Sequence, residues 1–312
     1  MEENWTLILS LYAAGLLVSG LLYAFFLGEM PRKAGFAALS MLLGAVLALP
    51  FAKLFYLLHS LGRDAALWTL EDLFPPVWQE LSFTGGCIGF VLGVWLCARL
   101  FRAPGAACLD AFALPGCVLI AFARMAEMGM DNIGQGDLPS FLPDVFPLAV
   151  HNSWGLPNLA VFTLEALTAA GCAVWLYKVR ERQEAVTGRR FEQTVVILCG
   201  AQLFWEMLTV YYWIPFIISF IHLEQVLCAL ILLILLIPRA VKTKKAGPLA
   251  GVVLMLGLNA LMQFAQDKPY LFPIPAGWDV ATLATVVFAL TAVGSIVLGL
   301  KGLAVTQDTQ SK

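Results

Sequence analysis

The chain has 312 residues, 60% of them hydrophobic and only 13% charged, with 21 acidic and 19 basic side chains and a formal net charge of -2. Soluble domains carry about 25% charged residues, so a water-soluble globule and a disordered chain are excluded, and the absence of a positive excess excludes a general nucleic-acid binder. What the composition supplies instead is apolar sequence in runs of roughly 20 residues, the length a helix needs to cross a bilayer.

In chain order these runs fall at 5–28, 36–58, 82–100, 106–125, 155–177, 191–211, 216–238, 248–265 and 280–300. Hydrocarbon offers no partner to free backbone groups, so each run is expected as a closed helix. The expected fold class is all-α, a polytopic integral membrane helical bundle. The acidic start Met1-Glu2-Glu3-Asn4 lacks the basic region of a signal peptide, so 5–28 is expected to stay as an anchor. The run at 248–265 is the least regular, because Gln263, Gln266, Asp267 and Lys268 crowd its end, and seven crossings is the other admissible count.

Of the connections, 59–81 carries Arg63, Asp64, Trp68, Glu71, Asp72, Phe74, Trp78 and Glu80, and reads as an amphipathic stretch on the membrane interface. Residues 130–155, rich in Pro, Gly, Asp and aromatics, read as a loop packed over the mouth of the bundle. Residues 177–190 read as an ordinary connector, and 303–312 as a frayed polar tail. Fifteen of the 19 basic residues (Arg32, Lys33, Arg99, Arg102, Lys178, Arg180, Arg182, Arg189, Arg190, Arg239, Lys242, Lys244, Lys245, Lys301 and Lys312) fall on one side of an alternating threading. The positive-inside rule makes that side cytoplasmic, with the N-terminus outside and the C-terminus inside.

The seven cysteines (Cys87, Cys97, Cys108, Cys117, Cys172, Cys199 and Cys228) all lie in apolar sequence without a CxxC pair, and read as small buried hydrophobes. No metal-ligand spacing, phosphate loop or dinucleotide fingerprint is present, and no cofactor is expected.

Ionisable groups inside spans carry the functional reading, because burying charge in lipid is costly. Arg124 and Glu127 sit at i and i+3 near the end of the fourth run. Three readings stand: an internal ion pair, a bidentate grip on a lipid phosphate, or snorkelling to the interface. Glu165 is placed two turns or more into the fifth span, Gln202 and Glu206 one turn apart in the sixth, and His222, Glu224 and Gln225 in the seventh. Lys53, Tyr56 and His59 share one face of the second. Such a set suggests a lined cavity in the outer half of the bundle, open to the outer leaflet, and a set of interhelical hydrogen bonds is the structural alternative. His151 is either a general base near neutral pH or a surface residue. Gly89 and Gly93 read as helix packing. The start Ser82-Phe83-Thr84-Gly85-Gly86 combines small polar groups with flexible backbone, suited to touch a headgroup.

These residues resemble the prolipoprotein diacylglyceryl transferase family. Ser82-Phe83-Thr84-Gly85-Gly86 is similar to its Ser-Phe-His-Gly-Gly segment. Arg124 to Glu127 with Asp131, Asn132 and Gly134 stands where the family has its arginine, asparagine and glycine signature. Lys53 to Tyr56, Glu165, Gln202 to Glu206, and Gln225 resemble further family positions. The resemblance covers residues 5–240 and implies a seven-helix transferase-like core at 1–240, an additional two-helix segment at 241–302 and a cytoplasmic tail. It implies a bacterial inner membrane and a diacylglyceryl transfer from phosphatidylglycerol to the cysteine thiol of a lipobox-containing prolipoprotein. Arg124, His151 and Glu206 would be catalytic; Arg124, Lys53, Tyr56, Thr84, Gly85, Gly86, Glu127 and Gln202 would meet the lipid; Glu165 and Gln225 would be structural. Thr84 replaces the family histidine, Gln202 an arginine, Leu198 a tyrosine, Glu127 an asparagine and Lys53 an arginine. A threonine hydroxyl is no base near neutral pH, so a relative that binds or handles phospholipid without the transfer is the alternative.

Overall fold

The structure is a computed structural model that describes residues 4–28, 30, 32–58, 80–130, 133–179, 187–209, 216–218, 221–268 and 280–308. Along the chain run α1 (Trp5–Phe26), α2 (Lys33–Leu57), α3 (Phe83–Leu100), α4 (Gly105–Ala126), a 3-10 turn (Glu127–Gly129), β1 (Gln135–Asp137), β2 (Ala149–His151), β3 (Pro157–Ala160), α5 (Val161–Val179), α6 (Arg189–Leu208), β4 (Phe216–Ile218), β5 (Ile221–His222), α7 (Leu223–Thr243), α8 (Gly247–Asp267) and α9 (Val280–Asp308). The chain is an all-α polytopic membrane bundle. Among the described residues α1 to α4 and α7 to α9 are long and apolar enough to cross a bilayer. The helices α5 and α6 stand at the other two expected runs, but Glu165 and Lys178 interrupt the first, and Arg189, Arg190, Glu192 and Glu206 the second.

The chain forms two compact units, Met1–Thr194 with Leu208–Trp213, and Val195–Met207 with Ile214–Lys312. In the second unit's core, Val196, Cys199 and Leu203 of α6 pack with Cys228, Leu232 and Leu236 of α7, Val252 of α8 and Leu303 of α9. Helix α9 continues through Asp308, into the stretch expected as a polar tail.

In the first unit, Tyr23 of α1 is fully buried and packs edge-on against Phe112 of α4, at 5.4 Å between ring centroids. Its hydroxyl donates to the Cys108 carbonyl at 3.1 Å, so the one polar atom of this aromatic core is satisfied. Helices α2 and α3 meet along a glycine seam. A methyl group on Gly93 would come within 2.5 Å of the Gly44 backbone nitrogen, and one on Gly89 would strike the Leu47 carbonyl. Gly85 continues the seam against Phe55 and the Phe51 carbonyl, so this glycine is taken up by helix contact. Asp110 of α4 accepts from the backbone N–H groups of Gly188 and Phe191, and so caps the start of α6 from another helix.

The 130–155 region is more regular than expected. Strands β1 and β2 flank β3 in one antiparallel three-stranded sheet, with Gln135 opposite Ala160 and Ala149 opposite Leu159. Strand β3 runs straight into α5. This moves the start of the fifth helix from 155 to Val161 and brings Glu165 to its second turn, a correction to the deeper position expected from the apolar run.

Candidate functional site

The site is built where α4 ends and α3 and α5 begin. Ser82 accepts from the Gly85 N–H at 2.9 Å and caps α3, while its own N–H donates to the Ala52 carbonyl of α2 at 3.0 Å. This pins Phe83, the first residue of α3. The Arg124 guanidinium, in the last turn of α4, stacks over the Phe83 ring at 3.6 Å from its centroid. Its Nη1 donates to Glu127 Oε1 at 2.7 Å, and its Nε lies 3.0 Å from Glu165 Oε2. Arg124 is 7% exposed, Glu127 and Glu165 5% each.

Backbone geometry holds the two carboxylates. Gly134 has φ +63, a left-handed conformation that disfavours any side chain, and a methyl group there would collide with Glu127 Oε2. The Gly134 carbonyl accepts from the Phe162 N–H at 2.8 Å, which ties the loop to the first turn of α5. Glu165 follows three residues after Phe162 and so faces Arg124. The start of α1 closes the same end, with the Asn4 N–H donating to the Gly129 carbonyl at 2.9 Å.

An arginine keeps its charge in any protein setting, so burial here requires anionic partners. It has two, and the formal sum of the three groups is one negative charge if both carboxyls are ionised. Of the three sequence readings for Arg124, the internal ion pair is realised, and it is larger than the local pair because Glu165 joins from another helix. The snorkelling reading is overturned by the burial of the side chain. Any phosphate meeting this guanidinium would share it with the carboxylates or displace one.

The other residues singled out in the sequence fall into separate groups. Lys53 is 4% exposed, pairs with Glu80 and lies 5.8 Å from the Tyr56 ring centroid. Thr84 is buried in the first turn of α3. Methyl growth on Gly86 would meet only ordinary contact, 3.6 Å from the Ala52 Cβ. His151 is exposed at the end of β2 and pairs with Asp144 at 3.1 Å. His59, Asp131 and Asn132 lie outside the described residues.

Gln202, Glu206 and Gln225 belong to the second unit, where they build a network of their own. Glu206 accepts from Gln202 Nε2 at 3.3 Å and lies 3.3 Å from His222 Nδ1. His222 caps α7 reciprocally with Gln225, and Gln225 Oε1 accepts from Gln263 of α8. The polar residues that crowd the end of the 248–265 run thus include a buried interhelical partner. Sequence reasoning missed Gln263 as a member of the second network.

Among the described residues no group of three or more His, Cys, Asp or Glu side chains is arranged to hold a metal ion. None of the seven cysteines is in a disulfide, and six of them are buried. No protein-family model, curated protein or solved structure matches the chain.

Proposed function

We propose that the chain handles anionic phospholipid, as a chemically altered relative of the prolipoprotein diacylglyceryl transferases. In this reading it sits in a bacterial inner membrane, N-terminus outside and C-terminus in the cytoplasm, and the Arg124 end faces outward. One observation carries the reading. Phe83, Glu127 and Glu165, from three stretches that the resemblance rests on and from different elements, meet at a single guanidinium, with Gly134 packed against Glu127. Arg124 is the group that would meet the headgroup phosphate, sharing its guanidinium with Glu127 and Glu165 or displacing one of them.

Two features favour handling over transfer. The transfer needs a base for the acceptor thiol, and the position of the family histidine holds Thr84. It also needs uncommitted positive charge against the departing glycerol phosphate, and Arg124 is engaged by two carboxylates. The transferase is the second reading, favoured by the stacking of Phe83, from the family-like Ser-Phe segment, on Arg124. In that reaction the thiol sulfur bonds to the glyceryl carbon, the carbon–oxygen bond to phosphate breaks, glycerol phosphate leaves and the thiol proton goes to a base.

The test is native mass spectrometry of the purified full chain titrated with phosphatidylglycerol, alongside incubation with a lipobox peptide. Retention of phosphatidylglycerol that is lost in Arg124→Ala, with no thioether product, is the expected result. A diacylglyceryl-modified peptide would establish the transferase instead. Equal lipid retention by the wild type and Arg124→Ala would end the phosphate assignment.

A further inference from the structure

The loop between β1 and β2 exposes large apolar side chains that neither the Arg124 site nor the core uses. Phe141 is 82% exposed, Val145 57% and Phe146 55%. Their height along the bundle follows from backbone hydrogen bonds. Helix α4 and its 3-10 turn form one of the apolar spans, which ends at Gly129. Five residues later the Gly134 carbonyl accepts from Phe162 of α5, so the start of α5 lies level with the exit of α4. The Ala160 N–H, one residue before α5, donates to the Leu148 carbonyl at 2.8 Å. Leu148 and Ala149 in turn donate their N–H groups to the Val145 carbonyl at 3.0 Å each. Val145 and Phe146 therefore sit in a tight turn beside the first residues of α5, at the level where the span of α4 ends.

That level is the edge of the hydrocarbon, and the headgroup region above it is only roughly 5–8 Å deep on each side. Aromatic side chains favour this boundary. Residues 133–160 contain no Lys or Arg, and the acid of the turn, Asp144, has its Oδ2 3.1 Å from His151 Nε2. The loop is joined through β3 to α5, where Leu167 is also exposed, at 58%. We infer that Phe141, Val145 and Phe146 form an interfacial anchor, inserted between headgroups and acyl chains of the leaflet that borders the Arg124 end. The occupant of this face is the bilayer surface itself. The anchor fixes the β-sheet, and with it Gly134 and the Glu127 carboxylate, against the membrane plane. The inference stands on the span of α4 and the loop geometry and does not depend on the function proposed above.

The experiment places an environment-sensitive fluorescent amino acid at position 146 by codon suppression, in the full chain reconstituted into nanodiscs. The same probe at Val46, a 59% exposed position within α2, serves as the lipid-facing reference. The expected result is blue-shifted emission at 146, lost when the lipid acyl chains are brominated near the headgroup and insensitive to aqueous iodide. Quenching by iodide without quenching by brominated lipid overturns the inference in favour of a solvated loop. Protection from both quenchers overturns it in favour of a protein contact. A second chain labelled at Phe141 is read in the same way, and melting temperatures matching the unlabelled protein establish that both labelled chains are folded.

Discussion

Arg124 on α4 and Glu165 on α5 meet at 3.0 Å between Nε and Oε2, with both side chains withdrawn from the surface. The contact joins two helices and, through Glu127, the turn that links α4 to the sheet. Removing the guanidinium leaves two buried carboxylates without their counter-charge, and breaking a buried pair in this way costs about 3–5 kcal/mol. Arg124→Ala should lower stability by that order, while Arg124→Met with Glu127→Gln and Glu165→Gln recovers much of the loss. Thermal unfolding in a fixed detergent, followed by loss of helical circular dichroism, reads both.

Gly134 wedges against that same cluster. Alanine there combines a left-handed backbone with a collision on Glu127, and a loss of at least about 2 kcal/mol is expected. The clash pushes Glu127 away from Arg124, so Gly134→Ala should also alter phosphatidylglycerol retention, measured by native mass spectrometry. An unchanged melting temperature would contradict the close approach.

Lys53 and Glu80 form an asymmetric pair, with the ammonium buried and the carboxylate 45% exposed. Glu80→Gln strands the buried charge and should cost about 1–2 kcal/mol, since the exposed partner screens part of the effect. Lys53→Met removes the buried charge and leaves a carboxylate in contact with water, so it should cost less than Glu80→Gln. The order of the two melting temperatures is the readout.

Asp110 serves the start of α6 from α4. Alanine in its place removes the acceptor for two backbone N–H groups, with an expected loss of about 1–2 kcal/mol, and asparagine retains part of it. Hydrogen exchange at Phe191 should quicken in Asp110→Ala ahead of the rest of α6.

His151→Ala is expected to leave stability within about 0.5 kcal/mol of the wild type, because the imidazole is exposed and its partner is an exposed carboxylate. Lipid retention should be unchanged as well. A large loss of either would reinstate His151 as a member of the site.

The helices were legible because the bilayer imposes one rule, closed backbone over about 20 apolar residues, and each of α1 to α9 overlaps one of the nine runs, but the 216–238 run opens with β4 and β5 and its helix starts only at Leu223. The Arg124–Glu127 pair was legible for a similar reason, since its i,i+3 spacing is local. Glu165 as the second carboxylate was not. Its position depends on β3 ending at Ala160, and the strands, only three or four residues long and separated by Pro139, Pro143 and Pro147, leave little alternation to detect. Pairings between distant positions, such as Lys53 with Glu80 and Asp110 with Gly188, carry no spacing signature at all. The same holds for Gln225 with Gln263, which sequence reading assigned to separate parts of the chain.

That last bond sets a limit on how the protein can be trimmed. A chain cut after residue 240 would lose the amide that Gln263 presents to the carbonyl oxygen of Gln225, and would uncover the flank of α7 on which Val252 and Leu303 rest. The shortened product would be stickier and less durable than its parent. The closing hairpin of helices is a wall of the second unit, and it has to travel with it.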